Sequence, residues 1–318
     1  MPIICSCCVF RKPNHMSLIF HHDIPWSLIT DQLMGCSCAA DGCQDECTCR
    51  SRSGGSYTKD GRLLDFRHPV FECNSACTCS SSCLNRVVQR HLSAVQRESH
   101  MIYRITERCG VGQCLNAARN FEPGELVCVY LGEVIPYAEA CKRETKQLSK
   151  YGHNYILILR CFAGASLVSE VCVDGNSFGP NGSLPVARLV NHSCDPNLTL
   201  VPVHVDSVIP YVCMFANRSI PCGTELTYNY ADCVPVDQVS SSNVPCLCHS
   251  SNCRGYLPRS SMIDVNVSLG IIHADHTSNG RPQLSVGGSW NQRVVCTQYA
   301  SDDADGDCEY IDCSPYPK

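Results

Sequence analysis

The 318-residue sequence is 44% hydrophobic and 17% charged, a balance that argues for a folded chain and against a disordered or fibrous one. Its longest apolar runs, Leu126–Leu131 and Tyr155–Leu159, are far too short to span a bilayer, so no membrane partner is expected. A net charge of −5 with a sequence pI near 6.2 gives nothing that invites direct nucleic-acid binding.

Residues 1–35 hold Cys5, Cys7 and Cys8 but no periodic segment, and read as an N-terminal segment trailing from a longer upstream region. The apolar stretch Met1–Phe10 is followed, not preceded, by basic residues, which argues against a secretory leader and for an intracellular chain. Residues 36–90 are cysteine-dense in two bursts, Cys36, Cys38, Cys43, Cys47 and Cys49, then Cys73, Cys77, Cys79 and Cys83. Between them Ser51–Gly61 reads as a surface loop. From 84 to 135 apolar and polar residues alternate, with a turn at Pro123-Gly124 and a buried strand at Leu126–Tyr130. Tyr137–Lys150 is the one clear helix. Strands are predicted at Tyr155–Leu159, Val168–Val173, Leu198–Val205 and Tyr211–Ala216, and many short strands with one helix predict a mostly β fold. A last cysteine group, Cys246, Cys248 and Cys253, closes residues 233–257. Residues 258–318 shift to Ser, Asp, Gly and Asn and predict a largely disordered tail.

Twenty-eight cysteines demand an explanation. In a secreted chain they would mean disulfides, but C-x-C spacing puts thiols too close for an ordinary disulfide ladder and suits tetrahedral metal. Nine cysteines in 36–83 satisfy three zinc ions if three sulfurs bridge, and each burst is too short for a core of its own. Cys246, Cys248 and Cys253 need a fourth ligand, for which Cys194 is the natural donor, with His249 and Cys233 as alternatives. Thirteen thiolates on four zinc ions would take the net charge to about −10, which suits a lysine-rich peptide.

These segments resemble one family. Phe71-Glu72-Cys73-Asn74 and Cys83-Leu84-Asn85-Arg86-Val87-Val88 are similar to the pre-SET module of Su(var)3-9-type lysine methyltransferases. Arg188-Leu189-Val190-Asn191-His192-Ser193-Cys194-Asp195-Pro196-Asn197 resembles the SET signature, Glu225-Leu226-Thr227-Tyr228-Asn229-Tyr230 its companion, and Cys246–Cys253 the post-SET module. Asn154-Tyr155-Ile156, Asp206–Pro210 and Tyr256-Leu257-Pro258 look most like the SET–mariner fusion branch. The resemblance implies a pre-SET zinc module over 36–90, a SET domain over 91–232 and a post-SET zinc module over 233–257. It implies small curled β-sheets with a knot-like threading, an exception to the usual unknotted rule.

It further implies an S-adenosylmethionine-dependent protein-lysine N-methyltransferase acting on a histone H3 tail, of the lysine-9 type, in the nucleus on chromosomes. Rival readings are lysine 36, a non-histone lysine-bearing protein, or a catalytically dead chromatin scaffold. Gly110, Val111, Gly112, Tyr155, Arg188, Asn191 and His192 would line the cofactor site, with Asn191 and His192 on the adenine side. Tyr230, Tyr228 and Tyr155 match the catalytic and channel tyrosines, Tyr228 at the position that governs how many methyl groups are added. Two departures stand out: Val111 where many relatives carry a large side chain, and Ile158 and Arg160 where some lysine-9 enzymes carry peptide-binding aspartates.

Overall fold

The computed structural model describes residues 18–30, 32–39, 43–53, 57–98, 101–163, 166–177, 184–230, 241–258 and 294–297. Strands β1 (Ile19–Phe20) and β2 (Val70–Phe71) and helices α1 (Trp26–Thr30), α2 (Thr48–Arg52) and α3 (Val87–Glu98) precede the main strands. These are β3 (Tyr103–Arg108), β4 (Gly112–Ala117), β5 (Leu126–Tyr130) and β6 (Glu133–Ile135), then helix α4 (Tyr137–Tyr151) and β7 (Ile156–Ala163) and β8 (Ser166–Asp174). After them come β9 (Asn191–His192), β10 (Leu198–His204), β11 (Tyr211–Ala216), β12 (Thr227–Tyr228), β13 (Ser241–Pro245), β14 (Tyr256–Pro258) and β15 (Val294–Thr297). Among the described residues no helix is long and apolar enough to cross a membrane.

The mostly β expectation holds: a five-stranded sheet β1-β6-β8-β7-β15, a four-stranded sheet β2-β10-β11-β5 and three two-stranded ladders. Strands β5 and β11 are buried along their whole length, which is why they read as unbroken apolar runs and not as alternating ones. They pair antiparallel in the four-stranded sheet, with side chains from both of its faces entering the core.

Several expectations need correction. Val87–Glu98 is helical although it reads as an alternating segment; the β-branched pair Val87-Val88 masks an apolar spacing at Val88 and Leu92 that suits a helix, and both side chains are buried. The 1–35 segment carries a short strand and a short helix, since Ile19 and Phe20 pair in parallel with β6. The predicted loop at 51–61 contains the end of α2 and Tyr57, which is buried and donates its hydroxyl to Glu72 Oε1 at 3.1 Å. Four residues of the predicted tail, Val294–Thr297, form β15 on the edge of β7. Most of 258–318 and all of 1–17 lie outside the described residues.

Helix α4 bears directly on the site. It ends at Gly152, whose left-handed φ of 73° lets its N–H bond Leu148 O at 2.8 Å. Gln147, on its last turn, accepts the Tyr155 N–H at 2.9 Å and donates to Asp174 at 3.0 Å. Arg143 binds Glu133 at 2.6 Å and Asp174 at 3.0 Å, closing a polar network that ties α4 to β6 and β8. Tyr155 thus leads into β7 with its backbone fixed, its carbonyl also accepting from Tyr130 Oη at 2.8 Å and Gly175 N at 2.9 Å.

The 57–63 segment locks onto the β core at Gly124. Its φ is +82°, and an added Cβ would lie 2.3 Å from Leu63 O. Gly124→Ala therefore combines backbone strain with a clash against a backbone atom and should cost about 2–3 kcal/mol, several degrees in Tm. Gly223→Ala, at φ +88° with open space around it, should cost only about 1 kcal/mol. Thermal melts showing equal losses for the two would refute this docking role.

Candidate active site and zinc clusters

The two signature segments meet as a parallel ladder, with Thr227 opposite Asn191 and Tyr228 opposite His192. Asn197 clips them together: its Nδ2 donates to Glu225 O at 2.8 Å and its Oδ1 accepts from Thr227 N at 2.9 Å. Ser193 N adds a bond to Tyr228 O at 3.1 Å. The Tyr230 N–H donates to His192 Nδ1 at 3.1 Å. That ring is neutral, because burial and then the nearby Arg254 push His192 down to about 4.

Tyr228 is fully buried, and its ring centroid lies 4.8 Å from that of half-buried Tyr230. Tyr230 meets the His192 ring at 5.2 Å and donates its hydroxyl to Val190 O at 3.4 Å. Tyr155 and Arg188 form a second group: the guanidinium sits 4.6 Å from the Tyr155 ring, and the phenol meets His153 Nε2 at 3.0 Å. His153 was not singled out by the sequence; an adjacent aromatic pair at 153 and 155 was its only signal.

Gly110, Val111 and Gly112 make the turn between β3 and β4, with Val111 N bonded to Arg108 O at 3.0 Å. Gly110 and Gly112 have φ values of +76° and +84°, and nothing lies within 4 Å of a Cβ built on Gly112. The Asn191 amide joins this turn to the signature ladder. Its Nδ2 donates to Gln113 O at 3.1 Å, Cys114 Sγ at 3.3 Å and Glu225 Oε1 at 3.3 Å, leaving Oδ1 as its remaining polar atom. A bare backbone turn, open space and an amide oxygen beside a neutral histidine fit a nucleoside-bearing cofactor.

The nine cysteines of 36–83 converge. Sulfur separations are 3.6 Å for Cys36–Cys43, 3.4 Å for Cys43–Cys73, 4.0 Å for Cys36–Cys73 and for Cys73–Cys83, and 3.6 Å for Cys49–Cys77. Tetrahedral zinc with Zn–S near ~2.3 Å places its sulfurs ~3.8 Å apart, whereas a disulfide requires ~2.0 Å. Three overlapping quartets, Cys36-Cys47-Cys49-Cys73, Cys36-Cys43-Cys73-Cys79 and Cys36-Cys38-Cys43-Cys47, share sulfurs as a bridged cluster would. Burial raises Cys36, yet hydrogen bonds from the Cys38 amide and neighbouring thiols outweigh it and hold Cys36 at about 6. Burial, and then hydrogen bonds with neighbouring thiols, push Cys43 far up.

The second group is equally compact. Cys194, Cys246, Cys248 and Cys253 have all sulfurs within 4.8 Å of one another. Cys194 is the residue that joins the three C-terminal cysteines, while His249, at φ 54°, lies outside this group and Cys233 lies outside the described residues. Burial raises Cys248, but the Ser250 hydroxyl and the Cys194 and Ser250 amides outweigh it and hold Cys248 at about 6.

Ile158 and Arg160 are both engaged internally. Ile158 is buried against Ile135, Ala140, Ile156 and Cys172, and Arg160 pairs with Glu170 at 2.7 Å.

The pre-SET motif family matches residues 5–86 and the SET domain family residues 112–231. The chain is 34% identical over 248 residues to mouse histone-lysine N-methyltransferase SETMAR, covering 72% of this chain and 75% of that protein. It belongs to the pre-SET and SET-domain histone-lysine N-methyltransferases. Another member, the H3 lysine-9 specific dim-5 of Neurospora crassa, is 30% identical over 300 residues, covering 78% of this chain and 85% of that one. The methyltransferase domain of human SETMAR superposes with a TM-score of 0.60 at 29% identity, covering 81% of this chain and 92% of that chain. KRYPTONITE in complex with mCHH DNA, an H3(1-15) peptide and SAH superposes at 0.55 and 26% identity, covering 76% and 46%.

This SET-domain family methylates histone H3 tails and implies S-adenosylmethionine as the methyl donor. The pre-SET match covers the first cysteine group, and the donor sets of both groups fit zinc.

Proposed function

We propose that this chain methylates lysine 9 of histone H3 in nuclear chromatin. The carrying observation is the Tyr230 N–H bond to His192 Nδ1, which joins the two SET motifs into one site. The lysine-9 specificity named for dim-5 supports the target, and the SAH and H3 peptide held by KRYPTONITE support the cofactor and substrate class. Bound S-adenosylmethionine supplies an activated sulfonium methyl, so the protein's task is to bind, align and desolvate. Gly110, Val111 and Gly112 would offer backbone to it, Asn191 and His192 the adenine-side contacts, and Arg188 with Tyr155 the opposite wall.

A lysine amine must be neutral to attack, and an apolar aromatic channel disfavours its ammonium form. Tyr230 is the residue we assign to orienting it. Its hydroxyl meets Val190 O at 3.4 Å, beside the Tyr228 ring that would wall the lysine channel. The zinc count that fits the donors is three ions on the nine pre-SET cysteines and one on Cys194, Cys246, Cys248 and Cys253.

Tyr228 sets the number of methyl groups. Its ring packs on Tyr230 at 4.8 Å, so its phenol occupies space a methylated amine would need. The unaltered enzyme should give mainly mono- and dimethyl-lysine, and Tyr228→Phe should shift the product toward trimethyl. Mass spectra over time of an H3 tail peptide, and of the same peptide with arginine replacing the lysine at histone position 9, test target and product together. Modification that survives the arginine replacement would move the target elsewhere, in line with the internally engaged Ile158 and Arg160. Abundant trimethyl product from the unaltered chain would sink the role of Tyr228.

A further inference from the structure

The post-SET loop touches the cofactor turn through a chain of contacts that neither motif explains. Leu247, between two zinc-site cysteines, rests on the turn: its Cδ1 lies 3.0 Å from where a Cβ on Gly110 would be. Its carbonyl accepts from Arg108 Nη1 at 3.1 Å. The other edge of the same guanidinium faces Glu225, with Nε 3.5 Å from Oε2. The second oxygen of Glu225 accepts from Asn191 Nδ2 at 3.3 Å. One continuous path therefore runs from Leu247 through Arg108 and Glu225 to Asn191. Arg108 Nε is shielded from water yet just beyond hydrogen-bond reach of its carboxylate, so a small inward movement of Glu225 would complete the bond.

We propose that Arg108 and Glu225 are positioning residues that latch the post-SET loop to Asn191, so that S-adenosylmethionine binding and closure of the Cys194, Cys246, Cys248 and Cys253 site stabilise each other. The latch rests on the reading of Asn191 as a cofactor contact. Two-way coupling is required: whatever the cofactor gains from a closed loop, the loop gains from the cofactor. Arg108 can bridge both partners because its guanidinium has separate donor edges, which a lysine ammonium lacks.

The test measures zinc release to pyridylazoresorcinol, with and without S-adenosylhomocysteine, alongside the affinity for S-adenosylhomocysteine. The post-SET phase is the one missing from Cys253→Ser. In the unaltered protein S-adenosylhomocysteine should slow that phase about tenfold. Glu225→Gln keeps an oxygen for Asn191 but ends the charge facing Arg108, and Arg108→Lys keeps the charge but not the bridge. Both should reduce the slowing to under about twofold and weaken S-adenosylhomocysteine about tenfold, with the pre-SET phases unchanged. Undiminished protection or unchanged affinity in both variants overturns the latch alone. An unaltered chain that binds no S-adenosylhomocysteine overturns the methyltransferase reading, and the latch with it.

Discussion

Tyr230→Phe should lower the methyl-transfer rate by about 10²–10³-fold while cofactor affinity stays within about twofold. The substitution removes one oxygen and keeps the ring that packs on Tyr228 and against His192. The bond that ties this segment to the signature ladder is made by the Tyr230 backbone N–H, which phenylalanine also has. Local structure should therefore persist, and the loss should fall on the transition state, lowering kcat rather than raising KM. Steady-state kinetics on an H3 peptide, with calorimetric cofactor binding, separate these effects. Turnover near that of the unaltered enzyme would reduce Tyr230 to a packing residue.

Removing zinc should unfold the pre-SET module. Its buried cluster consists of cysteines alone, with Cys36, Cys43, Cys47, Cys49, Cys73, Cys79 and Cys83 inside and Cys38 and Cys77 at its edge. Among the described residues no aliphatic layer replaces them there, so metal binding supplies the folding free energy, on the order of 10 kcal/mol or more per structural zinc at neutral pH. The loss should spread, because Glu72, beside ligand Cys73, accepts from Tyr57 Oη, Val88 N and Gln89 Nε2, at 3.1, 2.7 and 2.9 Å. Unfolding the cluster leaves that buried carboxylate, whose pKa burial raises, without its scaffold. Chelation should release about four zinc ions per chain and abolish the native thermal transition. Elemental analysis returning one zinc or none, or a transition indifferent to chelator, would contradict this.

How much the sequence disclosed depended on what held each element. Leu126–Tyr130 and Tyr211–Ala216 are continuous apolar runs buried on both faces, and their limits are read directly from composition. The helix read at Tyr137–Lys150, from its change of face and its good helix formers, runs one residue further to Tyr151. Elements defined by a partner were hidden. β1 and β15 are short strands that exist through pairing with β6 and β7, and the two β-branched residues opening α3 favour a strand locally. In the site, metal spacing alone marked the cysteines, whereas Asn191, His192 and Tyr230 were legible through resemblance to family motifs. Glu225 opens one of those motifs, but its pairing with Arg108 was not legible in either way. Their pairing depends on a turn, a ladder and a loop arriving together from distant parts of the chain.

The most direct test of histone methylation is transfer of labelled methyl from S-adenosylmethionine to recombinant core histones, with the modified residue located by mass spectrometry. Label on lysine 9 of histone H3, absent with Tyr230→Phe, is the predicted result. No label on any histone lysine, from protein that binds the cofactor and holds its zinc, would contradict it.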